Sequence, residues 1–149
     1  PEVQISPDGT LSNVELGDTG AEVADFEVEN NGNDDIFLTA ITFTDGESNA
    51  EDALENFALE CDGDVYATVA SISDELLTFN FDDMPLEVRE GQTVDCVVTA
   101  DVIGQAGEAV DFYIDQPLDV WGYDDRYGAG LNANVSTYTE GKQQVDIVA

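Results

Sequence analysis

The side chains best placed to do chemistry in this sequence are carboxylates set in short turns. Asp34 and Asp35 close NNGNDD, Asp62 and Asp64 flank the glycine of CDGD, Asp82 and Asp83 stand in FDDM, and Asp124 and Asp125 stand in YDDR. A hard cation such as calcium takes about six to eight oxygens, and closely spaced aspartates supply several of them from one loop. None of the four turns follows the EF-hand pattern, which needs acids at alternate positions and a closing Glu. These residues are therefore candidate ligands for a structural Ca2+. The competing reading is that they are solvated turn acids and that the chain carries no cofactor.

Catalytic constellations are hard to assemble from what remains. The sequence has no histidine, so Ser-His-Asp and Cys-His systems are impossible, and its one lysine, Lys142, has no evident serine partner. Two carboxylates suffice for glycoside hydrolysis, but among 34 acids some pair always meets the required separation by chance. The chain reads as a non-enzyme. Its two cysteines cannot make a tetrahedral zinc site without carboxylate help. Cys61 shares parity with Phe57 and Leu59, and Cys96 with Val94 and Val98, so both thiols point inward from different strands. A disulfide between them would close a loop of 96 − 61 = 35 residues, worth roughly 3 to 4 kcal/mol in the chain-entropy account. Two buried free thiols in a cytosolic protein are the alternative.

One stretch concentrates aromatic residues. In WGYDDRYG, Trp121, Tyr123 and Tyr127 surround Arg126. Such a group can form a subunit contact, with Arg126 meeting a neighbour's carboxylate, or a platform for glycan, or simply a lid on the end of the domain. Asn134 in NVS fits an N-glycosylation sequon, which matters only in a glycosylating host.

Charge narrows the range of partners. Three basic against 34 acidic residues give a formal net charge of -31, which repels nucleic acid and anionic membrane at every orientation. A folded chain of this mass exposes on the order of 7,000 Å², spacing the excess charges about 15 Å apart. The Debye length is about 8 Å at physiological salt and about 3 Å at 1 M, so brine removes most of the repulsion. The acids are spread along every segment, which reads as adaptation to a saline medium, with ion binding in the turns compatible with it. No apolar run is long enough to span a membrane. The opening PEVQISPDG lacks a basic, apolar leader and suits a secreted protein whose signal peptide is gone.

The elements that must position these residues are strands. At 149 residues and 42% hydrophobic content the chain can bury one real core. AEVADFEVEN alternates Ala24, Phe26 and Val28 with acids; QTVDCVVTADV, AVDFYID, LLTFNF and QQVDIVA alternate likewise. DIFLTAITFT, 35 to 44, is more continuously apolar and predicts a strand buried on both faces. Turn chemistry recurs about every ten residues. SNAEDALENF predicts one helical turn capped by Ser48 or Asn49, and 116–130 predicts a long loop or bent strand. The pattern predicts a single all-β domain over 1–149, an antiparallel β-sandwich of immunoglobulin-like or jelly-roll style.

The succession NFAL, DG, TFNF, LEVREGQT and VVTADV between Asn56 and Val102 resembles secreted β-sandwich modules of bacterial and archaeal surface proteins. That resemblance implies an extracellular or cell-surface module, repeated in adhesins or polymerised into filaments, without catalytic residues. PEVQIS adds a hint about which. Val3 and Ile5 share one face of a short strand at 1–6, cut off by Pro7, which could complete its own sheet or be donated to a neighbour's. The expectation is a homopolymeric subunit of an extracellular filament, pilus-like fibre or surface layer, with Val3, Ile5, Trp121, Tyr123, Arg126 and Tyr127 as contact residues. The alternative is an adhesive or carbohydrate-binding module.

Overall fold

The computed structural model describes residues 2–47 and 50–149. In chain order the elements are β1 (Glu2–Pro7), β2 (Val14–Glu15), β3 (Ala21–Asn30), β4 (Ile36–Asp45), α1 (Ala50–Ala53), β5 (Leu54–Cys61), β6 (Asp64–Val69), β7 (Leu76–Asn80), β8 (Leu86–Val88), β9 (Thr93–Val102), β10 (Ala109–Tyr113), a 3-10 turn at Pro117–Asp119, β11 (Val120–Asp124), β12 (Asn132–Asn134) and β13 (Gln144–Val148). The predicted helical turn is present as α1. Its proposed caps, Ser48 and Asn49, lie outside the described residues. No helix among the described residues is long and apolar enough to cross a membrane.

Two sheets face each other as a sandwich. The first runs β12-β1-β3-β9-β5-β6, and the second runs β11-β4-β10-β13-β2 with β7 and β8 also on β4. Pairing is antiparallel except at β1–β12 and β13–β2, which are parallel. The alternating sequences do what period-2 patterning dictates, turning Phe26, Val28, Phe79, Val98, Phe112 and Val145 into the space between the sheets, all fully buried. Phe26, Phe43 and Tyr138 meet there with ring centroids 5.5 to 6.2 Å apart, a spacing suited to tilted aromatic packing. The accessible surface is 7199 Å², close to what mass alone predicts.

β4 departs from expectation. Ile36, Leu38, Ile41 and Phe43 are fully buried, but the intervening residues are only half covered. One face of β4 is core and the other is partly open. Its apolar run reflects a central position instead: β11 and β10 pair with it along one edge, β7 and β8 along the other. A strand hydrogen-bonded on both edges favours β-branched and aromatic residues whichever way they face.

The cysteines are joined, and both strands belong to one sheet. Cys61 on β5 and Cys96 on β9 are directly opposed, with Cα atoms 4.1 Å apart, the close approach of a non-hydrogen-bonded antiparallel pair. The link therefore staples neighbouring strands rather than bridging the sandwich. β1 lies inside its own sheet, between β3 and β12. Val3 and Ile5 are core residues of their own chain, 1% and 0% exposed.

Candidate functional site

The aromatic segment folds as a bent strand. Asp119 Oδ2 accepts the Gln116 N–H at 3.3 Å and the Asp119 N–H donates to the Gln116 carbonyl at 3.0 Å, closing the turn at Pro117–Asp119 that redirects the chain onto the edge of β4 as β11. The register shifts between Trp121 and Gly122. The bulge is tight: a Cβ at Gly122 would collide with the Phe37 carbonyl oxygen and approach Leu131 Cδ1 to 2.6 Å. Only glycine lets β11 lie this close. Trp121 is thereby turned outward, and so are Leu118 and Tyr127, at 64%, 74% and 77% exposure. Tyr123 stacks on Phe37 with centroids 5.5 Å apart and keeps its edge in solvent.

Asp124 holds the end of this segment. Its Oδ1 accepts the Tyr127 N–H at 2.9 Å and the Ala129 N–H at 3.1 Å. The Tyr127 amide is the main reason its carboxyl titrates below the usual carboxylate range. Arg126 donates from Nε to Asp34 Oδ1 at 3.3 Å and lies 5.9 Å from the centroid of the Tyr127 ring. The sequence suggested a neighbour's carboxylate for this arginine; the chain supplies one of its own. Arg126 is exposed and Asp34 half-buried, so solvent screens the pair, which is worth at most about 1 kcal/mol.

Beside Trp121 lies an apolar cleft of about 250 Å³, lined by Leu118, Val120, Trp121 and Leu131 among others. Pro117 and Ala133 also line a wider groove of about 570 Å³, bordered by Tyr113, Val135 and Glu140. Asn134 lines that groove as well. Its Oδ1 already accepts from the backbone and hydroxyl of Ser136 at 3.0 and 2.7 Å. The two depressions adjoin at Pro117 and Ala133, the narrower one apolar and the wider one bordered by Asp115 and Glu140.

The turn acids are spread around the molecule. Asp62 and Gly63 both have positive φ, 52° and 86°, and form the two-residue hairpin between β5 and β6 that Asp-Gly favours; Asp62 and Asp64 are exposed there. Asp82 and Asp83 occupy a separate exposed turn. Asp34 and Asp35 do meet Asp124 and Asp125, since the Asp125 N–H donates to the Asp35 carbonyl at 3.0 Å, but the cation in that corner is Arg126. Asp35 Oδ1 accepts the Glu90 N–H at 2.8 Å.

The one acid group among the described residues with three carboxylates within 4.8 Å of one another is Asp8, Glu27 and Asp95. Burial, then Asp8 and Asp95, push the Glu27 carboxyl above its ordinary value. These positions are far apart in the chain. The β3–β9 register sets Glu27 opposite Asp95, and the pairing of β1 with β3, which ends at Pro7 opposite Phe26, delivers Asp8. A sequence scan for adjacent acids passes over them. It also passes over Leu118, whose hydrophobicity suggests core.

Inside, Gln143 ties the segment before β13 to β3. Its Oε1 accepts the Tyr138 hydroxyl at 2.9 Å and the Asp25 N–H at 3.0 Å, and its Nε2 donates to the Asp25 carbonyl at 2.5 Å. Burial drives the Tyr138 phenol far above its ordinary value, which keeps its hydroxyl protonated as the donor to Gln143.

No family model matches the chain, and no curated protein matches it. Solved structures give remote likenesses. The seventh ScaB type I cohesin from Pseudobacteroides cellulosolvens is 15% identical, with 99% of this chain and 92% of that chain covered and a TM-score of 0.48. The sixth cohesin from scaffoldin B of Acetivibrio cellulolyticus, solved in complex with a Cel5 dockerin, is 14% identical, with 98% and 97% covered and a TM-score of 0.32. The C-terminal domain of an antigen I/II-family protein of Streptococcus pyogenes is 17% identical, with 99% and 46% covered and a TM-score of 0.32. Identities and scores at this level do not assign a family.

Proposed function

We propose that this chain is an extracellular structural module that works through protein–protein contact, assembling with copies of itself into a filament or surface layer. The observation that carries the reading is the exposed run Leu118, Trp121, Tyr123 and Tyr127 along one edge of the sandwich, the first two of them lining an apolar cleft. Aromatic anchors beside a pocket are what protein interfaces use. Elsewhere the surface is anionic, so two copies approach favourably only where apolar area meets apolar area and salt screens the remainder.

Strand donation is the finer form of this reading. β1 already occupies a slot between β3 and β12. Exchanging it between copies would keep every pair it makes while linking subunits in series. A second reading, an adhesive module, is favoured by the solvent-facing Trp121 indole beside the cleft, a geometry that also suits a sugar ring.

Light scattering and electron microscopy of the purified chain at low salt and at about 1 M salt test the assembly reading. Polymers are expected at high salt, reduced to monomers by Trp121→Ala. A protein that stays monomeric at all salts and concentrations refutes it. Deleting residues 1–6 isolates donation, since intact fibres from the deletion exclude the N-terminal strand as donor. A glycan-array signal lost in Trp121→Ala, from a protein that never polymerises, would favour the adhesive reading.

A further inference from the structure

Asp111 sits on β10 between core-facing Val110 and Phe112, so alternation should turn it to solvent, yet it is 1% exposed. Two turns cover it. In the one after β4, the Gly46 N–H donates to the Asp111 carbonyl at 2.9 Å. In the one before β13, the Gly141 N–H donates to Asp111 Oδ2 at 2.7 Å. Both covers carry acids, Asp45 and Glu47 beside Gly46 and Glu140 beside Gly141. Glu140 reaches over the other turn, for a Cβ at Gly46 would stand 2.7 Å from its Oε2.

The Asp45 carboxylate organises the corner. Its Oδ1 accepts the N–H groups of Asp111 and Glu47 at 2.9 and 3.1 Å, and its Oδ2 accepts the Ala50 N–H at 2.8 Å. Asp111 Oδ1, by contrast, is buried and meets no hydrogen-bond donor among the described residues. Burial pushes the Asp111 carboxyl up; the Gly141 amide opposes that, while Glu140, Asp45 and Glu47 add to it. Arg89 pairs with Glu87 and Arg126 with Asp34, and Lys142, which follows Gly141 in the covering turn, is exposed. A buried carboxylate ringed by like charges is strongly disfavoured unless a cation or a donor meets it, and the described residues supply neither to this oxygen.

We infer that Asp111 Oδ1 and the Glu140 carboxylate, with Glu47 at the rim, bind a hard divalent cation of calcium's class that clamps the turn after β4 to the turn before β13. Calcium suits it better than magnesium. Calcium accepts irregular oxygen sets completed by water, whereas magnesium demands near-ideal octahedral geometry. Glu47 and Glu140 are exposed and so can swing to meet an ion and leave room for water. The Asp8, Glu27 and Asp95 group differs in that none of its members is buried, so water can hydrate each without an ion; it serves as the internal control.

The full chain, stripped of divalent ions by chelator, is titrated with CaCl2 by calorimetry and by Tm, and with TbCl3 by tyrosine-sensitised emission, Tyr113 lying two residues from Asp111. Wild type is expected to bind and to melt higher with calcium. Asp111→Asn should melt higher than wild type in chelator and lose the calcium response. Glu140→Gln, on an exposed turn that tolerates the change, should weaken binding by at least the roughly tenfold that removal of even an outer partner costs. Asp95→Asn should leave the response intact. The inference is overturned if wild type does not respond, if the response survives in both Asp111→Asn and Glu140→Gln, or if it disappears only in Asp95→Asn. A wild type that takes no calcium and is stabilised only by acid holds a proton at Asp111, and the inference fails.

Discussion

Breaking the Cys61–Cys96 link should cost about 4 kcal/mol, nearly all of it through the unfolded chain. The sulfurs close 35 residues; with that loop length the entropy removed from the denatured ensemble is about 13 cal/mol/K, or about 4 kcal/mol at 25 °C. Little should change in the folded state. Flanking pairs hold the same register without the link, with Leu59 opposite Val98, Glu60 opposite Val97, and the Asp62 N–H on the Asp95 carbonyl at 3.1 Å. For a chain of this size each kcal/mol moves Tm by about 2 to 4 °C, so reduction or Cys61→Ala/Cys96→Ala should lower Tm by roughly 8 to 16 °C. Urea unfolding with and without reductant is the sharper assay. The midpoint should fall and the m-value should rise, because the reduced unfolded chain exposes more surface. Repeating it at about 1 M salt separates this effect from charge repulsion, which salt screens and a covalent link ignores. A loss below about 1 kcal/mol, far under the chain-entropy value, or one that disappears in brine, would refute the reasoning.

Gly122→Ala should destabilise by about 1 to 3 kcal/mol, the usual cost of overpacking, and shift Trp121 fluorescence, because the new methyl displaces β11 from β4; an unchanged emission spectrum and midpoint would show that the bulge relaxes freely. The pH profile should peak on the acid side of neutrality. Asp25, Glu27, Asp111 and Asp119 are raised, chiefly by burial, so their contribution is full below the ordinary values of 3.8 and 4.5 and is lost as pH rises through the raised ones. Asp101, lowered mainly by the Asn56 side chain, and Asp124, lowered mainly by the Tyr127 amide, act oppositely and lose their contribution only in stronger acid. Denaturant midpoints measured downward from about pH 7 should first rise and then fall; a steady fall from neutrality would contradict the assignment.

Much of the fold is legible because alternation is a local signal with a global consequence. Phe26, Phe79, Phe112 and Val145 face the core as their parity requires, and the cysteines pair as their shared inward phase implies. The two parallel pairs were not legible, since β1 and β12 are joined by a register that no nearby residue specifies. Asp111 shows the limit of the rule. Its parity is that of a surface residue, and only the arrival of the turns at Gly46 and Gly141 buries it. The acid cluster at Asp8, Glu27 and Asp95 is hidden for the same reason, being a product of strand order. The aromatic edge was legible in composition but not in direction, because a one-residue bulge at Gly122 decides which way Trp121 points.

The placement of β1 has a kinetic corollary. Val3 lies opposite Ala133, so during synthesis β1 meets its parallel partner only after 133 − 3 = 130 further residues have emerged. Contacts of that span form late and slowly. Until then one flank of β1 is bare, and the nascent molecule depends on its own dense negative charge to keep passing chains at a distance.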